Sequence, residues 1–331
     1  MQPLASAPPP TAATGEPLIR VEALRVRYGT RWALDGLSFA VGAGEVVGLL
    51  GPNGAGKTTT LSVLATLRPP TEGTAAIAGC DVDRAPAAAR RSLGLVPQTI
   101  ALYPPLTARE NLRFFARLLG LSRRQAAAAI AQAFEIAGLA DRADDVVATF
   151  SAGMQRRLNL ACALLHTPRV LLLDEATVGV DPQSRERIFA AVRAQAAAGT
   201  AVLYSTHYME EAERLCARVI LIDHGRTVAA GSPATLVRQT ARGPRLTVVT
   251  RQALPPGWLE GIGGARPLPA DQLRDGAARG DATHIAIDDP SVATQVLARA
   301  AAAGGEVTEF HLHQPTLLDV FMELTGSALR D

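Results

Sequence analysis

The chain has 331 residues, enough for one large domain and a smaller one. Hydrophobic residues make up 48% and charged residues 19%, so a sizeable core can form and wholesale disorder is excluded. A net charge of +2 and 4% aromatics argue against an electrostatic or base-stacking surface for nucleic acid.

Three widely spaced cysteines, Cys80, Cys162 and Cys216, suit buried thiols in a reducing compartment and not a disulfide framework or a zinc site. No apolar run reaches the ~18 residues of a membrane-spanning helix. The opening MQPLASAPPPTAATGE lacks the basic and apolar regions of a secretory signal. The expectation is a soluble, cytoplasmic chain, brought to any membrane by a partner. Basic charge is almost all arginine, and Lys57 is the only lysine, which points to chemistry that arginine cannot replace.

Residues 1–17 are rich in Pro, Ala and Thr and are expected to be disordered. LIRVEALRVRY (18–28) alternates as a strand, and WALDGLSFAV (32–41) reads as a second. EVVGLL (45–50) is a continuous apolar run, as in a strand buried on both faces of a parallel sheet. It leads into GPNGAGKTTT and a helix expected to run to about Leu67. Buried strands follow at 92–97, 169–174, 200–206 and 218–223. Between 107 and 150 the Ala/Leu/Arg-rich spacing is helical, including a helix at 123–138 whose apolar stripe packs internally. From about Thr240 the character changes, with strands RLTVVT, THIAID and VTEFHL and helices near 290–303 and 316–325. His224 in DHGR reads as a hairpin-turn residue, and His311 and His313 alternate along a strand.

Gly51-Pro52-Asn53-Gly54-Ala55-Gly56-Lys57-Thr58 matches the phosphate-binding pattern G-x-x-x-x-G-K-[ST]. Its glycines let backbone N–H groups turn inward around phosphate oxygens. The following helix adds its N-terminal dipole. Lys57 would reach the β- and γ-phosphates as a compact charge. The Thr58 hydroxyl would ligate Mg²⁺, and Thr59 would bond a nearer phosphate. Further on, Val170–Leu173 lead to Asp174 and Glu175 at a strand end, where α/β sheets bind ligands. Consecutive strand residues face opposite sides, so the two acids take different jobs. Asp174 would support Mg²⁺, and Glu175 would polarise the water that attacks the γ-phosphate.

Five further elements fall in order, and the set resembles the ATP-binding cassette family over about 18–235. Tyr28 in RVRYG stands where the family places an aromatic on adenine. Gln98 in LGLVPQ stands where it has a glutamine contacting Mg²⁺ and the attacking water. Phe150-Ser151-Ala152-Gly153-Met154-Gln155 is similar to the family signature, LSGGQ, whose serine and glycine contact phosphate. Val178-Gly179-Val180-Asp181 is similar to the loop that crosses the dimer interface. His207 in LYSTHYMEEAE stands where the family uses a histidine on the γ-phosphate. The resemblance implies a P-loop NTPase of α/β class with an N-terminal antiparallel β subdomain, a helical insertion (about 99–160) and a small C-terminal α+β domain. It places the ATP-binding domain at 18–238 and an accessory or dimerisation domain at 239–331.

The same resemblance implies a head-to-tail dimer, with two ATP molecules held between the P-loop of one copy and Ser151 and Gly153 of the other. It further implies a separate polytopic membrane permease, approached by Thr99–Asn111, where Tyr103, Pro104, Pro105 and Leu106 form part of a groove. Ala152 replaces the signature's first glycine, and Met154 stands where glutamine is usual. Alanine there disfavours a positive φ or crowds the nucleotide, which bears on turnover more than on binding. The S-x-G-M-x-R-R form and the ending QPTLLDVFMELTG resemble a branch serving drug, antibiotic and lipid-linked exporters. Two other readings stay open. A cassette ATPase acting on ribosomes or DNA would have a second cassette, a long coiled coil or a basic tail. A small-molecule P-loop kinase would leave the signature and His207 unexplained.

Overall fold

Alternation sets the first strands. In the computed structural model, which describes residues 15–240, 243–268 and 282–326, β1 (Ile19–Tyr28) buries Ile19, Val21, Leu24 and Val26. The period slips by one between Val21 and Leu24, where Ala23 takes a positive φ of 45°, and the bulge keeps Leu24 inside. β2 (Arg31–Val41) returns antiparallel and pairs Tyr28 with Arg31. β3 (Val46–Leu50) is buried at every position, as a central strand covered on both faces must be. The glycine-rich loop then leads into α1 (Lys57–Leu64). That helix stops three residues short of the expected Leu67, because Thr66 turns to a φ of +59°.

β4 (Glu72–Ile77) and β5 (Cys80–Asp81) complete an antiparallel sheet of order β2-β1-β4-β5. After α2 (Pro86–Arg91), β6 (Leu93–Val96) joins the main sheet. The insertion holds α3 (Ala108–Leu118), α4 (Arg123–Ala137) and α5 (Ala152–Leu164). Thr107–Glu110 and Ser122–Gln125 are reciprocal capping boxes, and each N-cap contributes about 1 kcal/mol. Leu112, Ala116, Ile130, Phe134 and Leu158 pack between these helices, so the apolar stripe of α4 faces inward.

β7 (Val170–Asp174), α6 (Pro182–Ala197), β8 (Ala201–Thr206), α7 (Met209–Leu215), β9 (Arg218–Asp223) and β10 (Arg226–Gly231) close the six-stranded sheet, of order β10-β9-β3-β8-β7-β6. All its pairs are parallel except β9 with β10, whose turn holds His224 at a φ of +48°. Register positions the site: Leu50 pairs with Thr206, Asp174 with Ser205 and Val96 with Leu173. Four parallel strands therefore end level, and their C-terminal loops share one edge.

After α8 (Pro233–Gln239) comes β11 (Arg245–Thr250), β12 (Ala265–Pro267), β13 (Ala282–Ile287), α9 (Val292–Ala302), β14 (Val307–His313) and α10 (Leu317–Thr325). These strands form an antiparallel sheet of order β12-β13-β11-β14. Leu246, Val248, Ile285 and Ile287 pack with Val296 of α9 in its core. The chain divides into two compact units, one running to Pro233 and including the residues from Thr325, the other spanning Ala234–Leu324. Of the stretch expected to be disordered, residues 1–14 lie outside the described residues. Two cysteines meet the expectation of burial, and Cys80 is only half-buried. Burial pushes the Cys216 thiol up to about 12, with the Glu211 charge adding to the effect.

Candidate active site

The loop between β3 and α1 is shaped by its glycines. A Cβ on Gly51 would lie 2.2 Å from the Ile222 carbonyl oxygen, so only glycine lets the loop lean on β9. Gly56 has a φ of +112° and caps α1 without a side chain, which leaves the first N–H groups of that helix free of an intrahelical or side-chain acceptor. Gly51→Ala is expected to cost about 2–3 kcal/mol of stability, read by chemical denaturation, because backbone must move to admit the methyl. An unchanged midpoint would show that the loop yields there.

Lys57 is 5% exposed. Its Nζ donates to the Gly51 carbonyl at 2.8 Å and to the Pro52 carbonyl at 3.2 Å, and lies 3.4 Å from Glu175 Oε1. Burial lowers its pKa, and the Glu175 charge opposes that shift. The loop opens on a cleft of about 350 Å³. Asn53, Gly54, Gly56, Lys57, Thr58 and Thr59 form one side, and Tyr28, Gln98 and Glu175 also line it. Tyr28 is 49% exposed, and the Arg68 guanidinium stacks 3.8 Å from its ring centre. Gly51, Pro52 and Ala55 are buried beneath the loop and serve its shape.

Glu175 is the hub of this edge. Its Oε2 accepts from Gln98 Nε2 at 3.0 Å, and its Oε1 lies 3.1 Å from His207 Nδ1. With an ionised carboxylate the ring nitrogen is the donor. Strand alternation does not place this carboxylate, contrary to expectation. β7 ends at Asp174, and Glu175 takes a φ of +47° just beyond it, with its N–H bonded to the Ser205 carbonyl. That left-handed turn, unfavourable for a residue with a Cβ, swings the side chain toward the loop. Asp174 stays buried and accepts from Ser205 Oγ at 2.6 Å.

Ser151, Gly153 and Asp181 lie elsewhere. Ser151 is the N-cap of α5 and accepts from the Met154 N–H. Asp181 is the N-cap of α6 and accepts from the Ser184 N–H, which holds its carboxyl below the usual range. A Cβ on Gly153 would lie 2.4 Å from Ser184 Oγ and 2.7 Å from Asp181 Oδ2, so glycine lets the two helix starts touch. Ala152 is the first residue of α5 and does not take a positive φ, which corrects one of the two effects expected of it. Sequence reasoning missed Arg31 and Ala33, which line the cleft, and Ser205, which holds Asp174. The pairing of Tyr28 with Arg31 across a short turn was the available signal for Arg31.

A glycine loop over a lone lysine, level with strand-end carboxylates of a parallel sheet, defines a P-loop nucleoside triphosphatase. Residues 34–178 match the family model described as ABC transporter, and residues 231–325 match the C-terminal domain of the DrrA1-3-like ATP-binding proteins. The chain is 37% identical over 314 residues to the linearmycin resistance ATP-binding protein LnrL of Bacillus subtilis (strain 168), covering 95% of this chain and 100% of that one. It is 40% identical over 314 residues to the daunorubicin resistance ATP-binding protein DrrA2 of Streptomyces coeruleorubidus, with coverages of 93% and 95%. Over 325 residues it is 38% identical to the Nod factor export ATP-binding protein I of Ralstonia nicotianae (strain ATCC BAA-1114 / GMI1000), covering 98% of each. A solved ATP-binding subunit of an ABC transporter is 33% identical with a TM-score of 0.62, over 67% of this chain and 92% of that one. A dimeric ATP-binding cassette in a post-hydrolysis state, bound to ADP and Pi, is 25% identical with a TM-score of 0.59, over 65% and 98%. The chain belongs to the ABC transporter family, as an ATP-binding subunit that hydrolyses ATP.

Proposed function

We propose that this chain drives export of a drug, antibiotic or lipid-like compound through a separate polytopic membrane permease, working as a homodimer. The observation that carries the reading is full-length similarity, including 231–325, to ATP-binding proteins named for antibiotic resistance and Nod factor export. No described helix is long and apolar enough to cross a membrane, so a permease would be a separate chain or segment. The ATP-binding domain would span 18–238 and the accessory domain 239–331, with the chain peripheral on the inner face of the cell membrane through its permease. No direct contact with nucleic acid is part of this reading.

Adenine would stack on the Tyr28 ring. The amides of 53–59 and Lys57 would take the phosphates, with Thr59 on a nearer one. A γ-phosphate would draw the lysine charge away from Glu175 and free that carboxylate to accept a proton from water. His207 would bond the γ-phosphate and keep Glu175 oriented. The oxygen donors of Thr58, Gln98 and Asp174 suit a hard cation, and Mg²⁺ held there would neutralise phosphate charge. Ser151 and Gly153, which do not line the cleft of their own chain, would serve ATP on the second copy, with Asp181 at the shared boundary. Tyr103, 46% exposed and 4.7 Å edge-on to Phe114, would offer the permease an aromatic surface.

Affinity capture of the Glu175→Gln protein from its own cells, in detergent with Mg-ATP, tests the reading. A stoichiometric polytopic membrane protein is the expected companion. Ribosomal or DNA-repair partners without one would overturn it.

A further inference from the structure

Behind the cleft lies a buried carboxylate that the scheme above leaves unused. Glu211, on α7, is 3% exposed. It accepts from the Thr177 hydroxyl at 2.8 Å, the Tyr204 hydroxyl at 2.7 Å and the Thr206 hydroxyl at 3.1 Å. Arg185 Nε, on α6, lies 3.3 Å from its Oε1. A carboxylate this deep is costly unless fully paired, and here three hydroxyls and a guanidinium pair it. Replacing Glu211 alone by an apolar residue would strand the Thr177, Tyr204 and Thr206 hydroxyls without this acceptor, so the carboxylate and its partners stand or fall as a set.

The partners show what the set joins. Thr177 follows Glu175 by two residues, in the loop that runs on to Asp181. Thr206 directly precedes His207, and its hydroxyl also accepts from the Tyr208 N–H at 3.0 Å, so it brackets the histidine. Arg185 stands one turn into the helix that Asp181 caps. One carboxylate thus ties the loop from Glu175 to Asp181, the turn bearing His207 and the start of α6. Thr177 and Thr206 are each 1% exposed, so water does not compete for these bonds.

We propose that Glu211 is a positioning residue for hydrolysis, fixing the Glu175 loop and the His207 turn as one rigid piece. The proposal rests on the reading of Glu175 and His207 as the hydrolytic pair. Glu211 is buried and is not among the residues that line the cleft. It sets the distance between the group that polarises water and the group that steadies the γ-phosphate, and displacements of about 1 Å in such pairs cost up to a hundredfold in rate.

The test uses the full chain with Glu211→Gln, which keeps size and one acceptor, and Thr206→Val, which removes a single hydroxyl isosterically. Steady-state turnover, binding of a fluorescent ATP analogue, thermal midpoint and the His207 ring resonance, assigned by its loss in His207→Ala, are measured. The expected result is a roughly tenfold or greater fall in kcat with KM and nucleotide affinity within about twofold. Both variants shift the His207 resonance, and the double variant is no worse than the poorer single one. If Glu211→Gln does not fold, Thr206→Val carries the same expectation. Unchanged kcat, or a loss of affinity in proportion to kcat, overturns the role of Glu211. Glu175→Gln runs in parallel: if it turns over normally, the hydrolytic assignment itself fails. If only the Glu211 and Thr206 variants are silent, that assignment stands and this proposal falls.

Discussion

Lys57→Ala is expected to abolish ATP turnover and to weaken nucleotide binding at least a hundredfold, about 2.7 kcal/mol or more. The chain has no other lysine to substitute for it. Its ammonium is held by the Gly51 and Pro52 carbonyls within the cleft lining, 5% exposed, where water is scarce and a charge on phosphate counts for more than at the surface. Lys57→Arg is not expected to rescue. The planar guanidinium is larger than the ammonium, and its fork cannot replace a point charge 2.8 Å from one carbonyl and 3.2 Å from the next. Binding of a fluorescent ATP analogue and phosphate release decide the matter, with a thermal midpoint to show that the variant is folded. Normal turnover in the alanine variant would remove the loop from the active site.

Glu175→Gln separates binding from chemistry. The glutamine keeps the length of the side chain and can still bond Gln98 and His207, so the cleft holds its shape. It cannot take a proton from water. Turnover should fall by roughly 10²–10⁴-fold, the range of general-base contributions, while ATP affinity stays within about twofold. ATP should then hold two copies together, and light scattering after size exclusion should show a dimer that disperses when nucleotide is removed. Loss of the carboxylate also takes away the one acidic partner within 4 Å of Lys57 among the described residues, so the lysine pKa should fall further. Turnover equal to the parent would place the base elsewhere.

Much of this was legible in the chain, and the reasons differ by element. EVVGLL, RVLLLD and TAVLYST announce β3, β7 and β8 because a central parallel strand is apolar throughout and needs no partner to be recognised. EGTAAI, CD, RTVAAG and ARP do not announce β4, β5, β10 and β12. Those strands are short, small-residued edges or connectors, and pairing creates them. Most residues of the cleft were legible by motif, Arg31 and Ala33 were not, and the posture of none was. Glu175 reaches Lys57 through a left-handed turn held by Ser205, which no spacing encodes. Gly153 could be read as a phosphate contact, but not as the point where α5 and α6 touch.

The single lysine has a consequence for covalent chemistry. Among side chains, the only primary amine in the chain lies in the nucleotide cleft, 5% exposed and with its proton loosened by burial. If that cleft holds ATP as proposed, an acyl group on the lysine would occupy the phosphate position and stop turnover. On the same reading an amine-selective reagent would gauge site occupancy, since any lysine adduct falls on Lys57 and bound nucleotide should shield it.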